Sequence, residues 1–344
     1  MTAALLLVLL ALAPTGAAAP ALERGQKRLQ ASDVAGALED FAAAEKADPA
    51  DPRAPYLRGV ALEKKGDVAG AEKAYRQALA RDPAFPQAHN NLGALMLSRG
   101  DRAGAARELG AAVKADPRLA DARFNLGLLR DAEGKPAEAV ASYREAVRLR
   151  PDDGPTHLNL GAALRRAGDL DGALAELRQA TRLAPDSAVA WSNLGLLLSD
   201  QKALDEAAAA LQKATALDAR YAPAWNGLGR VELRRKNPAA AAAALAHARK
   251  LAPADAGIAA DSCRALVDQD PAAPRAAAEC RAALALDAGN ALARYMLGKA
   301  LVAQGKCADA RAELTRFAAL PALKPAARDA ATALAARCAP AKGR

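Results

Sequence analysis

The chain repeats itself every 34 residues, and this period constrains its fold more than any other feature of the sequence. A triplet of asparagine, leucine and glycine recurs at that interval, at residues 91–93, 125–127, 159–161 and 193–195. Leucine and glycine alone continue the series at 228–229 and, two periods and one residue later, at 297–298. A fixed period in this range is typical of stacked repeats, in which a single unit cannot bury its apolar face alone.

Each period predicts two helices joined by a tight turn. When the glycine of the triplet is counted as position 8, apolar residues at positions 4, 7 and 11 share one helix face, and those at 20, 24 and 27 share another. A glycine followed by an aspartate, as in Gly66-Asp67 and Gly100-Asp101, predicts a left-handed end to the first helix and an N-cap for the second. A proline at position 32 ends the second helix in most repeats.

Small residues recur at fixed positions for a steric reason. In the fourth repeat they are Gly127 at position 8, Ala139 at position 20 and Ala146 at position 27, with the large Tyr143 at position 24. We expect the glycine and the first alanine to let the two helices of a repeat approach closely, while the large residue fills the space beside that contact. The second alanine lets the first helix of the next repeat dock. A leucine in place of Gly127 should therefore splay the helix pair.

Two segments that begin with tryptophan, 191–195 and 225–229, show the pattern Trp-x-x-Leu-Gly at the start of a repeat. Together with the residues at positions 20, 24 and 32, they make the chain resemble the tetratricopeptide repeat family over about residues 18–324. The resemblance implies an all-α fold, a right-handed α-solenoid of about nine 34-residue helix-turn-helix repeats with a C-terminal capping helix. It also implies a non-enzymatic scaffold that binds a protein or peptide partner.

The chain departs from the family pattern in two respects. The tyrosine that the family has at position 11 is replaced by charged residues in two repeats, Arg130 and Glu232, where we expect disturbed packing. The eighth repeat, at about 256–290, lacks the glycine signature, contains one inserted residue and has Pro271 and Pro274 in its turn. Residues 20–324 therefore comprise nine repeats of which the eighth is degenerate, followed by a capping helix at 325–338 and a disordered tail at 339–344.

The first nineteen residues are interpreted as a signal peptide. An apolar run at 3–13 is followed by Pro14, Gly16 and small residues, and it is too short for a membrane span, which needs roughly 20 residues. Pro20 disfavours cleavage directly before it, so a cut after Ala18 is favoured. We expect a periplasmic or secreted protein of the bacterial cell envelope that does not span the membrane once processed. The alternative is a buried first helix.

All four cysteines lie in the last quarter of the chain. An even number of cysteines in an exported chain favours disulfides, although the sequence alone leaves three connectivities open. The repeat register implied by the family resemblance places Cys263 opposite Cys280 within one repeat. It also makes Cys307, at the start of the last second helix, a neighbour of Cys338 at the end of the capping helix. We therefore predict the bonds Cys263–Cys280 and Cys307–Cys338; the alternative is four buried thiols.

The residues indicate no catalytic, cofactor or metal site. His89 and His157 both occupy position 4, where Trp191 and Trp225 also stand, so they are interpreted as packing residues. There is no phosphate-binding glycine loop and no Cys-x-x-Cys pair. The net charge of +9 serves solubility, with attraction to an anionic envelope polysaccharide as the alternative. Only 3% of residues are aromatic, which disfavours nucleic-acid binding through stacked bases.

The family resemblance points to a binding groove lined by the first helices, in which position 6 commonly meets ligand. This position is Asn91, Asn125, Asn159 and Asn193 in four successive repeats, similar to the asparagine ladder in the repeat domain of O-linked N-acetylglucosamine transferase. An amide can bond both polar groups of a peptide bond, so such a row suits an extended peptide. Neighbouring candidates are Asn90, Phe124, Arg165, Arg166, Asn226, Arg230, Arg234 and Tyr295.

Three other interpretations of these residues stay open. The asparagines suit a polar helix face that binds only water. The basic residues of the groove suit an anionic cell-envelope polymer. The whole array suits an accessory subunit of an envelope or secretion complex.

Mass spectrometry of protein isolated from its source without reductant tests both the export and the cysteine pairing. We expect the chain to begin at Ala19, and we expect no cysteine to react with an alkylating reagent before reduction, because each thiol is bonded to another. Four alkylated thiols would refute the disulfides. An intact mass that still includes residues 1–18 would refute cleavage.

Overall fold

The computed structural model of the protein describes residues 16–338, and the regular structure within that range is entirely helical. Nineteen helices follow one another, so the predicted all-α repeat fold is confirmed for the described part of the chain. The predicted tail at 339–344 and all but the last few residues of the predicted signal peptide lie outside the described residues.

The contacts between helices divide the chain into two compact units, Met1–Gly168 and Asp169–Arg344, which we call the N-terminal and the C-terminal unit. The described helices of the N-terminal unit are α1 (Ala19–Gln30), α2 (Val34–Ala47), α3 (Arg53–Lys65), α4 (Val68–Arg81), α5 (Pro86–Ser98), α6 (Arg102–Ala115), α7 (Ala120–Ala132), α8 (Pro136–Leu149) and α9 (Gly154–Ala167).

Those of the C-terminal unit are α10 (Leu170–Leu183), α11 (Ala188–Asp200), α12 (Leu204–Leu217), α13 (Ala222–Arg234), α14 (Pro238–Leu251), α15 (Ala256–Gln269), α16 (Pro274–Leu286), α17 (Ala291–Ala303), α18 (Cys307–Ala318) and α19 (Pro325–Ala336). Odd-numbered helices up to α17 are the first helices of the repeats, and even-numbered helices are the second helices. Within each unit, the two helices of a complete repeat pack against each other, and α19 packs against α18.

The turn inside a repeat forms as its residues dictate. Gly66 ends α3 in the left-handed conformation, with φ 86°, which an L-residue with a side chain adopts only at a cost. The carboxylate of Asp67 then accepts a hydrogen bond from the backbone N–H of Gly70 at 2.9 Å and caps the start of α4. Lys202 and Lys236 take the same left-handed conformation in the sixth and seventh repeats. The predicted glycine turn and aspartate cap are confirmed.

The core of each repeat is built on the glycine at position 8. The large residue at position 24 lies directly over this glycine, rather than beside it. A Cβ atom added at Gly93 would lie 2.7 Å from Cγ of Leu109, and one added at Gly127 would overlap the ring of Tyr143. Tyr143 and Leu109 are fully buried, so the close approach of the two helices depends on the missing side chain.

Position 4 has a role beyond packing. The ring nitrogens of Trp191 and Trp225 each donate a hydrogen bond, at 3.0 Å, to the carbonyl oxygen six residues earlier. The imidazole Nε2 atoms of His89 and His157 lie 3.0 and 2.8 Å from the equivalent carbonyl oxygens. These contacts tie each first helix to position 32, where the preceding second helix has just ended, and they satisfy a carbonyl group in the turn.

Two expectations need correction. Arg130 and Glu232 do not disturb their repeats: Arg130 forms ion pairs with Glu133 at 2.8 Å and Glu138 at 3.1 Å, and the buried Glu232 is paired with Arg235 at 2.7 Å. A buried carboxylate is tolerated when a partner neutralises it. The eighth repeat, although degenerate in sequence, is a helix pair, α15 and α16, and needs no correction. The capping helix ends at Ala336, so Cys338 lies just beyond it.

A pair of glycine substitutions tests the role of position 8. We expect Gly127→Ala to destabilise the chain by ~1–3 kcal/mol, because the added methyl group forces Tyr143 out of its place. The matched control is Gly110→Ala in the exposed face of α6, where an added Cβ meets no atom within 4 Å. This control should stabilise the chain by about 0.5–1 kcal/mol through helix propensity. Urea unfolding of both variants is the measurement, and equal effects would contradict the steric account.

Candidate functional site

The first helices of the N-terminal unit carry a chain of side-chain hydrogen bonds built on asparagines. The Asn125 amide nitrogen on α7 donates to the Asn90 amide oxygen on α5 at 2.9 Å, and the Asn90 nitrogen donates to the Asn91 oxygen at 3.0 Å. The Asn91 nitrogen in turn donates to the hydroxyl groups of Tyr56 and Tyr75, at 3.4 and 3.3 Å. Two ladder residues of successive repeats are therefore linked through the side chain of Asn90.

Asn90 is buried, whereas Asn91 and Asn125 are half-buried. The sequence groups all three as binding residues. Because Asn90 is buried, it fixes the orientation of its neighbours. Asn91 and Asn125 are partly exposed, so a ligand can contact them. Since an amide has two donor hydrogens and one acceptor oxygen, the bonds described use only part of the capacity of Asn125.

Buried tyrosines form the base of this network. The hydroxyl of Tyr75 donates to the carboxylate of Glu63 on α3. Burial, and then the charge of Glu63, raise the pKa of Tyr75 well above its ordinary value. Burial also raises the pKa of Tyr56, which stacks edge-on against Phe85 with ring centroids 5.1 Å apart. The tyrosine hydroxyls are neutral and fixed, so they hold the Asn91 amide in one orientation.

Phe124 extends the surface on α7. Its ring lies 5.7 Å, centroid to centroid, from the ring of Tyr143, and it is half-buried. The Tyr143 hydroxyl donates to Asp131 at 3.1 Å, and Arg166 forms an ion pair with the same carboxylate at 2.6 Å. Burial, and then the charge of Asp131, raise the pKa of Tyr143. Phe124 thus places an apolar ring on α7 directly before Asn125 in the chain, and Arg166 is ion-paired with Asp131.

The two remaining ladder asparagines behave differently. The Asn159 amide nitrogen on α9 donates to the Pro155 carbonyl oxygen in its own helix at 2.9 Å, and Asn193 on α11 does the same with Val189 at 2.9 Å. These side chains lie along their helices and do not reach another asparagine in the bonds described. The predicted ladder thus comprises two asparagines linked between helices and two bonded to their own helix. Arg165, on α9, also makes a contact and is not a free cation.

In the C-terminal unit, the candidate arginines bond to neighbouring first helices. Arg234 on α13 donates to the Ser199 hydroxyl on α11 at 2.6 Å, and Arg230 lies 3.8 Å from Asp261 on α15. Burial raises the pKa of Asp261 by more than the charges of Arg230 and a second arginine lower it. The buried amide oxygen of Asn226 has no hydrogen-bond partner within residues 16–338. Asn226 therefore has an unsatisfied acceptor that is buried within the unit.

The four cysteines lie in two pairs in the C-terminal unit. Cys263 on α15 and Cys280 on α16 have Cα atoms 4.7 Å apart, and Cys307 and Cys338 have Cα atoms 5.1 Å apart. Both separations are within the range of disulfide bonds. The structure therefore brings together the same pairs that the repeat register predicts.

Sequence reasoning missed Tyr56 and Tyr75 as parts of the site. They occupy positions 5 and 24 of the second repeat, and position 24 is by its pattern a core position. The one available signal is that Tyr56 falls at the same position as Asn90 and Phe124 in later repeats. Their hydroxyl groups are needed because the Asn91 amide is half-buried and would otherwise lose hydrogen bonds to water.

Two further features bear on function. Within the described range, no group of three or more histidine, cysteine or acidic side chains is arranged to hold a metal ion. None of the described helices combines the length and the hydrophobicity that a membrane span requires.

Tyrosine titration tests the buried network. Since burial raises the folded-state pKa of Tyr56, Tyr75 and Tyr143 above the unfolded value of about 10, their contribution to stability is complete below that pH and is lost as the pH rises through the folded pKa. We expect the phenolate absorbance of the native chain to rise at higher pH than that of the denatured chain, and unfolding to become easier over the same pH range. Superimposable titration curves would show that these hydroxyls are not held as described.

Comparison with family models gives a consistent result. Models described as tetratricopeptide repeat match residues 132–197 in one case, 188–221 in a second, and 22–88, 63–110, 91–154, 205–256 and 295–339 in a third. The third model alone matches more than half of the chain. No curated protein sequence matches this chain.

Several solved structures have a similar fold. A chain in the crystal structure of the APC/C hetero-tetramer Cut9-Hcn1 aligns with a TM-score of 0.60 at 20% identity, over 78% of this chain and 52% of that one. PilF of Pseudomonas aeruginosa aligns with a TM-score of 0.55 at 21% identity, over 59% and 92%. A repeat protein from Parabacteroides merdae aligns with a TM-score of 0.52 at 16% identity, over 73% and 99%. The chain spans about half the length of the first of these, and at such identities the likeness shows the fold alone.

Proposed function

Because the chain belongs to the tetratricopeptide repeat family, we propose that it is a non-enzymatic protein-binding scaffold that holds an extended segment of a partner on the first helices of its N-terminal unit. The observation that carries this proposal is the hydrogen-bond chain from Asn125 through Asn90 to Asn91 and the tyrosine hydroxyls. A polar surface that is orientated before the ligand arrives loses little conformational entropy on binding.

The chemistry of this surface favours a peptide backbone over a charged polymer. Amides offer a donor and an acceptor in one plane, which matches the N–H and C=O groups of an extended chain and is indifferent to its side chains. Phe124 adds an apolar contact beside Asn125, where a ligand side chain can pack. The total affinity then arises from several modest contacts along the segment.

The candidate arginines support this choice because they already have neutralising or hydrogen-bonded neighbours. Arg166 is paired with Asp131 and Arg230 with Asp261, while Arg234 donates to Ser199. A polyanion would gain less at these arginines than at unpaired ones, because each already interacts with a neighbouring side chain. Capture of an anionic envelope polymer is therefore not part of the proposal.

We also propose that the protein acts outside the cytoplasm. The apolar run at 3–13 and the small residues after it support export, and two cysteine pairs within bonding distance suit an oxidising compartment. The partner would then be an envelope or secreted protein with an extended or disordered segment.

Two asparagine substitutions test the binding surface. The variant Asn125→Ala/Asn159→Ala removes one amide from α7 and one from α9, and Gln179→Ala/Gln212→Ala removes one half-buried and one exposed amide from the second helices as a matched control. If each lost hydrogen bond to ligand costs about 1 kcal/mol, the first variant should bind the partner about 30-fold more weakly. The control should bind like the wild type, and both should melt within a few degrees of it.

The partner is identified by quantitative capture from an envelope extract on immobilised full chain. A synthetic peptide from the captured protein is then titrated against wild type and both variants by calorimetry, at low and at high salt. Backbone capture by neutral amides should persist at high salt, whereas a polyanion would be released. Equal affinity of wild type and the asparagine variant for that peptide would remove the asparagine surface from the account.

A further inference from the structure

The two cysteine pairs of the C-terminal unit have different surroundings. Cys263 and Cys280 are fully buried inside the eighth repeat. Cys307 is half-buried at the first position of α18, and Cys338 is buried just after the end of α19. The Cys307–Cys338 pair therefore contains one partly exposed cysteine, whereas both cysteines of the Cys263–Cys280 pair are sheltered from a dissolved reductant.

Apart from the disulfide, α19 is held by a small apolar contact and by hydrogen bonds from Arg328 to carbonyl oxygens of the preceding loop, at 3.1 and 3.5 Å. Ala331 is its one buried residue, and its inward face is otherwise formed by half-buried Ala327, Leu334 and Ala335. Alanine buries little apolar area, so the hydrophobic contribution of this helix is small. Its N-cap residue, Lys324, makes no side-chain cap. A helix of 12 residues without its contacts is marginal in water, so α19 depends on being tied down.

The two pairs also differ in their place on the helices. Cys307 is the first residue of α18, at a helix end, with Lys306 before it and Asp309 in the same first turn. The buried pair in the eighth repeat has no such placement, because Cys263 and Cys280 lie in the middle of α15 and α16.

From these three observations we propose that the Cys307–Cys338 disulfide is a redox-controlled latch on the C-terminal helix, while Cys263–Cys280 is a structural bond. A thiolate of a small dithiol attacks the Cys307 sulfur and forms a mixed disulfide. The bond to Cys338 breaks, and its electron pair goes to the Cys338 sulfur, which takes a proton from water. The second thiol of the reagent then closes a cyclic disulfide and releases Cys307 as a thiolate.

Opening the latch changes the end of the C-terminal unit. In the latched form, α19 covers Leu314 and Phe317 of α18, and the ring of Phe317 lies 5.1 Å, centroid to centroid, from that of Tyr295. When α19 detaches, these apolar residues meet water. The redox state of the Cys307–Cys338 bond thus decides whether the apolar face of the last repeat is covered by α19 or exposed to water. This role is separate from the proposed peptide binding by the N-terminal unit.

The order of reduction tests the chemical part of the proposal. The oxidised full chain is incubated with increasing dithiothreitol, alkylated and analysed by peptide mass spectrometry. We expect Cys307 and Cys338 to be labelled at a reductant concentration at least about tenfold lower than Cys263 and Cys280, because only the Cys307–Cys338 pair contains a partly exposed cysteine. Labelling of all four cysteines at the same concentration would overturn the distinction between latch and structural bond.

Hydrogen–deuterium exchange tests the conformational part. At the reductant concentration that opens only the Cys307–Cys338 bond, amides of α19 should exchange at least about tenfold faster, while those of α15 and α16 stay unchanged. The variant Cys307→Ser/Cys338→Ser should show the same fast exchange without reductant. The variant Cys263→Ala/Cys280→Ala should keep α19 protected until reductant is added. Full protection of α19 after reduction would show that its packing, and not the disulfide, holds it.

Discussion

The structure depends on one steric contact, the large residue at position 24 resting directly on the glycine at position 8. A side chain at Gly127 would occupy the place of the Tyr143 ring, and at Gly93 it would meet Leu109. This contact sets how closely the two helices of a repeat approach, and the same approach recurs in both units because the residues recur. The proposed binding surface follows from it, because this surface is formed by the side of the first helices that the contact leaves outside the core. Tyr75 shows the link most directly, because its ring covers Gly59 while its hydroxyl accepts a hydrogen bond from Asn91.

Much of the fold could be predicted from the sequence because it is local. Helix pairs, the glycine turn at Gly66, the cap by Asp67 and the degenerate eighth repeat follow from residue type and spacing. The juxtaposition of Cys263 with Cys280 follows from the register once the family is recognised. Each of these depends on backbone geometry within one repeat, which the 34-residue period already describes.

The candidate site was predicted less completely because its contacts join repeats. The bond from Asn125 to Asn90 spans 35 residues and depends on which way two amides turn, which no spacing rule contains. The sequence predicts Arg166 as a ligand-binding cation, but the structure pairs it with Asp131 of the preceding repeat. The helix contacts also divide into two units after Gly168, and the 34-residue repeat, which continues across this residue, does not predict that division. Register identifies which residues share a face, whereas side-chain partners decide which of them remain available to a ligand.

The central claim is that the first helices of the N-terminal unit bind the partner. Hydrogen–deuterium exchange of the full chain, with and without the captured partner peptide, measures this most directly, because it reports on every helix at once. The account predicts slower exchange in α5, α7 and α9 and no change in the second helices α4, α6 and α8. Protection confined to the second helices, or to the C-terminal unit, would contradict it.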